Sequence, residues 1–314
     1  MSEAWGGPGA GRAVRHIVPR VAGSPEDIAA LGWYHTIELP GGIVTPGFYD
    51  HRPASPRLPW PDSLAGKRCL DVGSSDGFWA FEMWRRGAAE VVSIDLEDPA
   101  RQEWQGAWAT GAAREAVVST GHWEGQENLT RRSFEAARSA LGAETIIRHD
   151  LSVYDVSPDL LGQFDFVFMG SLLLHLRDPS RALAAVRSVT TERFLLFEPI
   201  LATLSVLLPR TPVASLWQLD EPRWWLPNLA GLRRLVHAAG FRVLDSGGPI
   251  AQRFGAAFPR RPPRRWPTLS ELVFWSTVRP LGVPSGWTLA EPATDSPAEH
   301  ARRAAQRVPL LGWV

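Results

Sequence analysis

The run CLDVGSSDGFWA, residues 69–80, restricts this chain more than any other stretch. Residues 68–72 have the length and apolar character of a buried strand, residues 73–77 are small or acidic, and residues 78–86 have the spacing of a helix closed by Gly87. A strand that gives way to glycines and then to a helix opens a βαβ unit. Backbone without bulky side chains lets a ligand approach the carboxyl edge of the sheet there. The spacing that cradles a dinucleotide pyrophosphate is absent, because from Gly73 it requires glycines where Ser75 and Phe78 stand.

From residue 67 onward short apolar runs alternate with helical segments, the pattern of a parallel sheet covered on both faces. Seven strands are expected, over 68–72, 91–94, 145–148, 164–169, 193–197, 241–244 and 271–277. Asp178 and Pro179 start a helix that runs to about Val189, and Asn228 caps another that ends before Gly240. Residues 1–25 are rich in Gly, Arg and Pro and are expected to form a loose arm, and 26–66 a cover of short extended pieces and turns. Residues 67–280 are expected to hold the main domain. Within it, 97–130 read as a Trp-rich insertion containing Trp104, Trp108 and Trp123, followed by a helix over 130–141. Beyond 280 the chain reads as turn-rich, with a capping-box signal at Ser296 for a short terminal helix within a tail, 281–314.

Composition excludes several classes. With 33 basic and 33 acidic residues the chain carries no global field for a polyanion, and the one concentrated basic run is Arg260, Arg261, Arg264 and Arg265. Its single cysteine, Cys69, makes no intramolecular disulfide and no multi-cysteine zinc site, which fits a cytoplasmic protein. No stretch is long and apolar enough to span a bilayer, so no membrane partner is expected. Lys67 is the only lysine, and 15 tryptophans supply flat surfaces for core packing or planar ligands.

Three acidic anchors follow one another in strand order: Asp71 with Gly73 and Gly77 in the first loop, Asp95 at the end of the second strand, and Asp150 with Leu151 at the end of the third. A carboxylate about twenty residues past the glycine loop is placed to accept both hydroxyls of a ribose. The stretch resembles motif I of class I S-adenosylmethionine (SAM) methyltransferases, (D/E)xGxGxG, with Ser75 in place of the middle glycine. The resemblance implies a Rossmann-like α/β fold, a seven-stranded mostly parallel sheet with helices on both faces and an N-terminal lid. It also implies SAM as cofactor, S-adenosylhomocysteine (SAH) as product, and no metal. Asp71, Gly73, Ser74, Ser75, Gly77, Asp95, Leu96, Asp150, Leu151 and Gly170 are the cofactor-binding residues it implies.

A narrower resemblance, carried by WYHTIELPGGIVTPGFYDHR, FDFVFMGSLLLHLRDPSRAL and RWWLPNLAGLRRLVHAAGF, is to methyltransferases grouped with the tRNA wobble-uridine 5-oxyacetic acid (carboxymethyl-transfer) family. Members that use a carboxylated SAM hold its extra carboxylate with a lysine ahead of motif I and a tyrosine before the histidine that follows the fourth strand. Here the second position is Leu174, and Lys67 lies directly against the first strand, so ordinary SAM is expected.

Methyl transfer to oxygen is helped by a base, and His175 and Glu198 are the candidates, each with loop bracing as the alternative role. Tyr34, His35, Tyr49 and His51 in the cover, and Arg223, Trp224, Trp225 and Asn228 ahead of the last helix, are expected to line the acceptor site, with helix capping the other reading of Asn228. The acceptor expected is a small molecule, a hydroxylated secondary metabolite. A tRNA modifier and a SAM-binding regulator without turnover are the alternatives.

Overall fold

In the computed structural model, residues 28, 30–98, 101–103, 129–216, 223–258 and 274–294 are described. The N-terminal arm, most of the Trp-rich insertion, the basic run and the terminal-helix signal lie outside them.

The cover supplies β1 (Glu38–Leu39), β2 (Ile43–Val44) and β3 (Tyr49–Asp50). The main fold then runs β4 (Arg68–Val72), α1 (Phe78–Arg85), β5 (Glu90–Asp95), α2 (Leu129–Leu141), β6 (Ile146–Asp150), α3 (Pro158–Leu161), β7 (Phe164–Gly170), α4 (Pro179–Val189) and β8 (Thr190–Pro199). It continues through α5 (Ala202–Leu207), β9 (Ala214–Leu216), β10 (Trp225–Pro227), α6 (Leu229–Ala238), β11 (Phe241–Phe254) and β12 (Val283–Pro292). One sheet has the order β3-β11-β12-β8-β7-β4-β5-β6. From β8 to β6 the strands are parallel, whereas β12 is antiparallel to both of its neighbours.

Two differences from the expected sheet stand out. The last strand is β12 and not 271–277, since Phe274–Val278 is helical; a segment read as turn-rich tail therefore lies inside the sheet. An eighth strand comes from the cover, where β3 pairs with the far end of β11 through Arg253↔Asp50 and Phe254↔Tyr49.

Both faces of the central strands are buried, so adjacent residues feed opposite cores. Cys69, Phe166, Phe168 and Leu195 pack with Phe78, Phe81 and Phe134 on one face. Leu70, Val167, Met169 and Leu196 pack with Leu183, Val186, Leu232 and Val236 on the other. The helix ends follow the sequence. Asp178 accepts from the Arg181 amide at 2.9 Å, and Asn228 from the Gly231 amide at 2.7 Å. Among the described residues no helix is long and apolar enough to cross a membrane.

Candidate functional site

β4 lies between β5 and β7. The crossovers leave on opposite sides there, and this opens a crevice at the carboxyl edge. The glycine loop, 73–77, sits at that point. Gly73 has φ +78° and Gly77 φ +91°, a left-handed backbone that glycine adopts without steric cost. A Cβ on Gly73 would stand 3.1 Å from the Leu172 side chain, so this glycine keeps space open between the first loop and the loop after β7. Ser75 and Ser171, with φ 50° and 53°, are non-glycine residues in the same conformation. Such strain persists only where neighbours hold it.

Asp95 holds Ser75. One carboxylate oxygen accepts the Ser75 amide at 2.5 Å and the other the Leu96 amide at 2.7 Å. A carboxylate accepts about four hydrogen bonds, so each oxygen keeps a lone pair for a diol. Burial raises the Asp95 pKa, and the nearby Arg148 opposes this. Asp71, fully buried, has no partner within hydrogen-bond geometry for either oxygen among the described residues; burial and then the Asp95 charge push its pKa up to about 8.

Asp150, at the end of β6, has protein partners of its own. It is ion-paired with Arg101 at 2.7 and 2.8 Å and accepts the Glu97 amide at 3.1 Å. Leu151 follows it, with its amide on the Asp95 carbonyl at 3.1 Å. Gly170 ends β7, where a Cβ would collide with Phe168 and approach the Trp79 indole.

Glu198, 1% exposed, ends β8 beside the loop that contains His175. One carboxylate oxygen accepts the Leu172 and Leu173 amides at 2.8 and 3.0 Å, and the other has no hydrogen-bond partner among the described residues. Burial pushes its pKa up to about 8 against the pull of the loop amides. His175 is half-buried in the same turn, its amide on the Leu172 carbonyl. Trp224 is drawn to this loop, its amide on the Leu174 carbonyl at 2.6 Å and its indole on the Glu103 carbonyl at 2.9 Å. Trp225 donates to the Arg177 carbonyl at 3.3 Å.

Asn228 is engaged elsewhere. Its oxygen accepts the Gly231 and Val213 amides, and its nitrogen donates to the Leu208 and Thr211 carbonyls. With its hydrogen bonds inside the α5–α6 connection, the capping reading describes it better than contact with an acceptor. Lys67 is at the opposite, amino edge, paired with Glu192 at 2.6 Å beside a cleft of about 620 Å³. That places it away from the glycine loop.

The cover meets the loop directly. Tyr34 is packed where the charges of Asp76, Arg223 and Asp95 all act on it, and burial raises its pKa well above the usual phenol value. His51, 2% exposed, lies against Tyr49 and the Trp79 ring at centroid distances of 5.8 and 5.1 Å. Burial, and then the charge of His35, lower its pKa well below the ordinary histidine value.

Two residues of the site escaped the sequence reading. Asp76, inside the loop itself, binds the cover. Arg148 donates to the Ser74 hydroxyl at 3.2 Å and to the Ser75 carbonyl, and its charge acts on both Asp71 and Asp95. The signal for Arg148 was its place two residues before Asp150 in the same strand, hence on the same face.

These residues fit a SAM-type ligand: a carboxylate at the end of β5 with lone pairs left over, a left-handed glycine loop with space above Gly73, and a partly satisfied buried carboxylate at the end of β8. The sequence profile of the methyltransferase-domain family matches residues 49–246. A tRNA U34 carboxymethyltransferase of Pseudomonas aeruginosa (strain LESB58) is 28% identical over 185 residues, 57% of this chain and 46% of that protein. That of Ectopseudomonas mendocina (strain ymp) is 26% identical over the same span. The chain thus spans about half the length of the curated relatives it matches. Among solved structures, the N-terminal domain of EvdMO1 with SAH and D-fucose has a TM-score of 0.50 at 16% identity, covering 85% of this chain and 94% of that one. This likeness concerns the fold. Fold, loop geometry and family profile agree, and the chain belongs to the methyltransferase-domain family of SAM-dependent enzymes.

Proposed function

We propose that this methyltransferase acts in the cytoplasm on a hydroxyl of a small planar acceptor, a secondary metabolite, with ordinary SAM as the methyl donor. Glu198 is the observation that carries this reading: a buried carboxyl with one oxygen fixed by two amides and the other without a partner among the described residues, at a strand end beside the loop to which Trp224 is hydrogen-bonded. Bound SAM supplies an electrophilic methyl on a sulfonium.

The chain's own residues bind, align and deprotonate. Asp95 accepts the ribose hydroxyls, and Gly73 with Ser74 leaves backbone exposed to the methionine end. Asp150 and Leu151 border the adenine. Trp224 and Trp225 stack the acceptor with Arg223 beside them, Tyr34 and the cover exclude water, and ionised Glu198, through the oxygen the loop amides do not hold, takes the hydroxyl proton as the O–C bond forms and the sulfur–methyl bond breaks to leave SAH. His175, in the turn that Glu198 braces, orients the acceptor or shares the proton.

The relatives that act on tRNA favour a second reading, wobble-uridine modification. Labelled SAM offered with a set of hydroxylated aromatic and sugar-bearing compounds, and separately with bulk tRNA, separates the two. Label in the small compounds is expected; label in tRNA alone, or tighter binding of carboxylated SAM, sinks the small-molecule reading.

Asp95→Ala should weaken SAH binding by about 1.5–3 kcal/mol, a hydrogen bond to a charged group being worth that much, or roughly 10- to 150-fold in affinity. Calorimetry reads it, and an unchanged affinity removes Asp95 from the cofactor site.

A further inference from the structure

The glycine loop carries a buried acid that the methyl-transfer chemistry does not use. Asp76 is 0% exposed and is bonded to the N-terminal cover. One of its oxygens accepts two consecutive backbone amides, Tyr34 at 2.7 Å and His35 at 2.9 Å, and the other is hydrogen-bonded to the His35 ring Nδ1. His35 is itself 3% exposed. Asp76 thus makes a three-point attachment to a segment 41 residues upstream.

The far side of the same segment belongs to the sheet edge. The Phe48 amide donates to Trp33, the Tyr49 amide to Tyr34, and the Gly255 amide to Phe48, so residues 33–36, 47–49 and the end of β11 form one hydrogen-bonded layer. No side chain fits between its strips: a Cβ on Gly47 would fall 2.1 Å from the His35 carbonyl carbon, and one on Gly255 2.2 Å from the Gly47 oxygen. The layer behaves as a plate joined to β11 at one side and to the loop at the other.

We infer that Asp76 is a positioning residue that fastens this plate over the glycine loop, so that Tyr34 forms a wall of the cofactor site and binding of SAM or SAH depends on the attachment. The inference rests on the reading of that loop as the cofactor site. Asp76 does not touch the reacting atoms; it acts through Tyr34 and His35. An exposed acid at this position would do nothing of the kind. Buried, its carboxyl group requires hydrogen-bond partners, and those found among the described residues are all in the cover.

Two measurements on the full chain test this: amide hydrogen exchange without ligand, and SAH titration by calorimetry. In Asp76→Ala, exchange at the Tyr34 and His35 amides should accelerate by about 100-fold while β4 and β7 keep their protection, because local opening is uncoupled from global unfolding. SAH affinity should fall by roughly tenfold or more. Asp76→Asn keeps an oxygen for the two amides but loses the charge facing His35, and should recover most of the amide protection and part of the affinity. Should Asp76→Ala not fold, His35→Ala, which leaves both backbone bonds in place, is expected to show a smaller shift of the same sign in both readouts. Wild-type exchange over residues 33–37 in these variants overturns the attachment. Faster exchange with unchanged SAH affinity overturns its role in binding. Failure of the wild-type protein to bind SAH would instead count against the cofactor site, while the exchange experiment still decides the attachment.

Discussion

Glu198→Gln is expected to slow methyl transfer to an oxygen acceptor by about 10²- to 10⁴-fold, the usual contribution of a positioned base, with SAH affinity within about twofold of wild type. The substitution separates two roles of one side chain. Glutamine keeps an oxygen to accept the Leu172 and Leu173 amides, so the loop around His175 stays braced. What it loses is the second carboxylate oxygen, the one without a partner. A rate equal to wild type would leave Glu198 as a brace only and move the base role to His175.

The same variant carries a pH signature in stability. The Glu198 carboxyl is raised from its ordinary 4.5 to about 8 by burial, so the native state retains a proton that the unfolded chain releases between these values. Stability from this group is therefore present below about pH 4.5 and lost as the pH rises through about 8. Wild-type protein should show a urea midpoint that falls between about pH 4.5 and pH 8 and levels off above that, and Glu198→Gln a shallower fall. Asp71, raised to about 8 for the same reason, remains in both proteins, so the difference in slope belongs to Glu198.

Gly77→Val should be the most damaging single change in the loop. Gly77 precedes α1 at φ +91°, and a Cβ there would lie 2.6 Å from the Phe134 ring and 2.9 Å from Phe81, both wholly buried. A left-handed L-residue costs about 1–2 kcal/mol and overpacking a further ~1–3, together about 2–5 kcal/mol out of a total stability of about 5–15. Urea unfolding should show this loss, and SAH binding should disappear with the loop geometry. Gly142 is the control. It shares a positive φ, 65°, but nothing lies within 4 Å of its Cβ position, so Gly142→Ala should cost only about 1 kcal/mol. Equal losses at the two positions would show that packing against Phe134 does not hold the loop.

These contrasts show which parts of the protein were legible in its sequence. The glycine loop was readable because strand, turn and helix signals lie within twelve residues, 69–80, and each acts locally. The caps at Asp178 and Asn228 were readable for the same reason. β12 was not. VPSGWTLAEP contains two prolines and a glycine and scores as a turn, yet Gly286 is needed where α6 approaches: a Cβ there would stand 2.9 Å from Leu229 and 3.2 Å from Ile200. Tertiary packing overrode local preference. The 271–277 run was the converse case, strand-like in sequence with its last part helical in the fold. Asp76 was hidden for a different reason, since the identity of its partners depends on a chain reversal that brings residues 34 and 35 to the loop.

The position of β12 also dictates how this protein must be made. The strand sits between β8 and β11, completed 93 and 38 residues earlier in the chain by their last residues, Pro199 and Phe254, counted to Pro292. During translation, the nascent chain carries two long unpaired strand edges until residues 283–292 leave the ribosome, and only then is the sheet continuous. A premature stop before residue 283 would release a product with every acidic anchor and the glycine loop synthesised, but with the β8 and β11 edges open to pairing with other chains. Such a product is expected to aggregate instead of accumulating as a smaller enzyme.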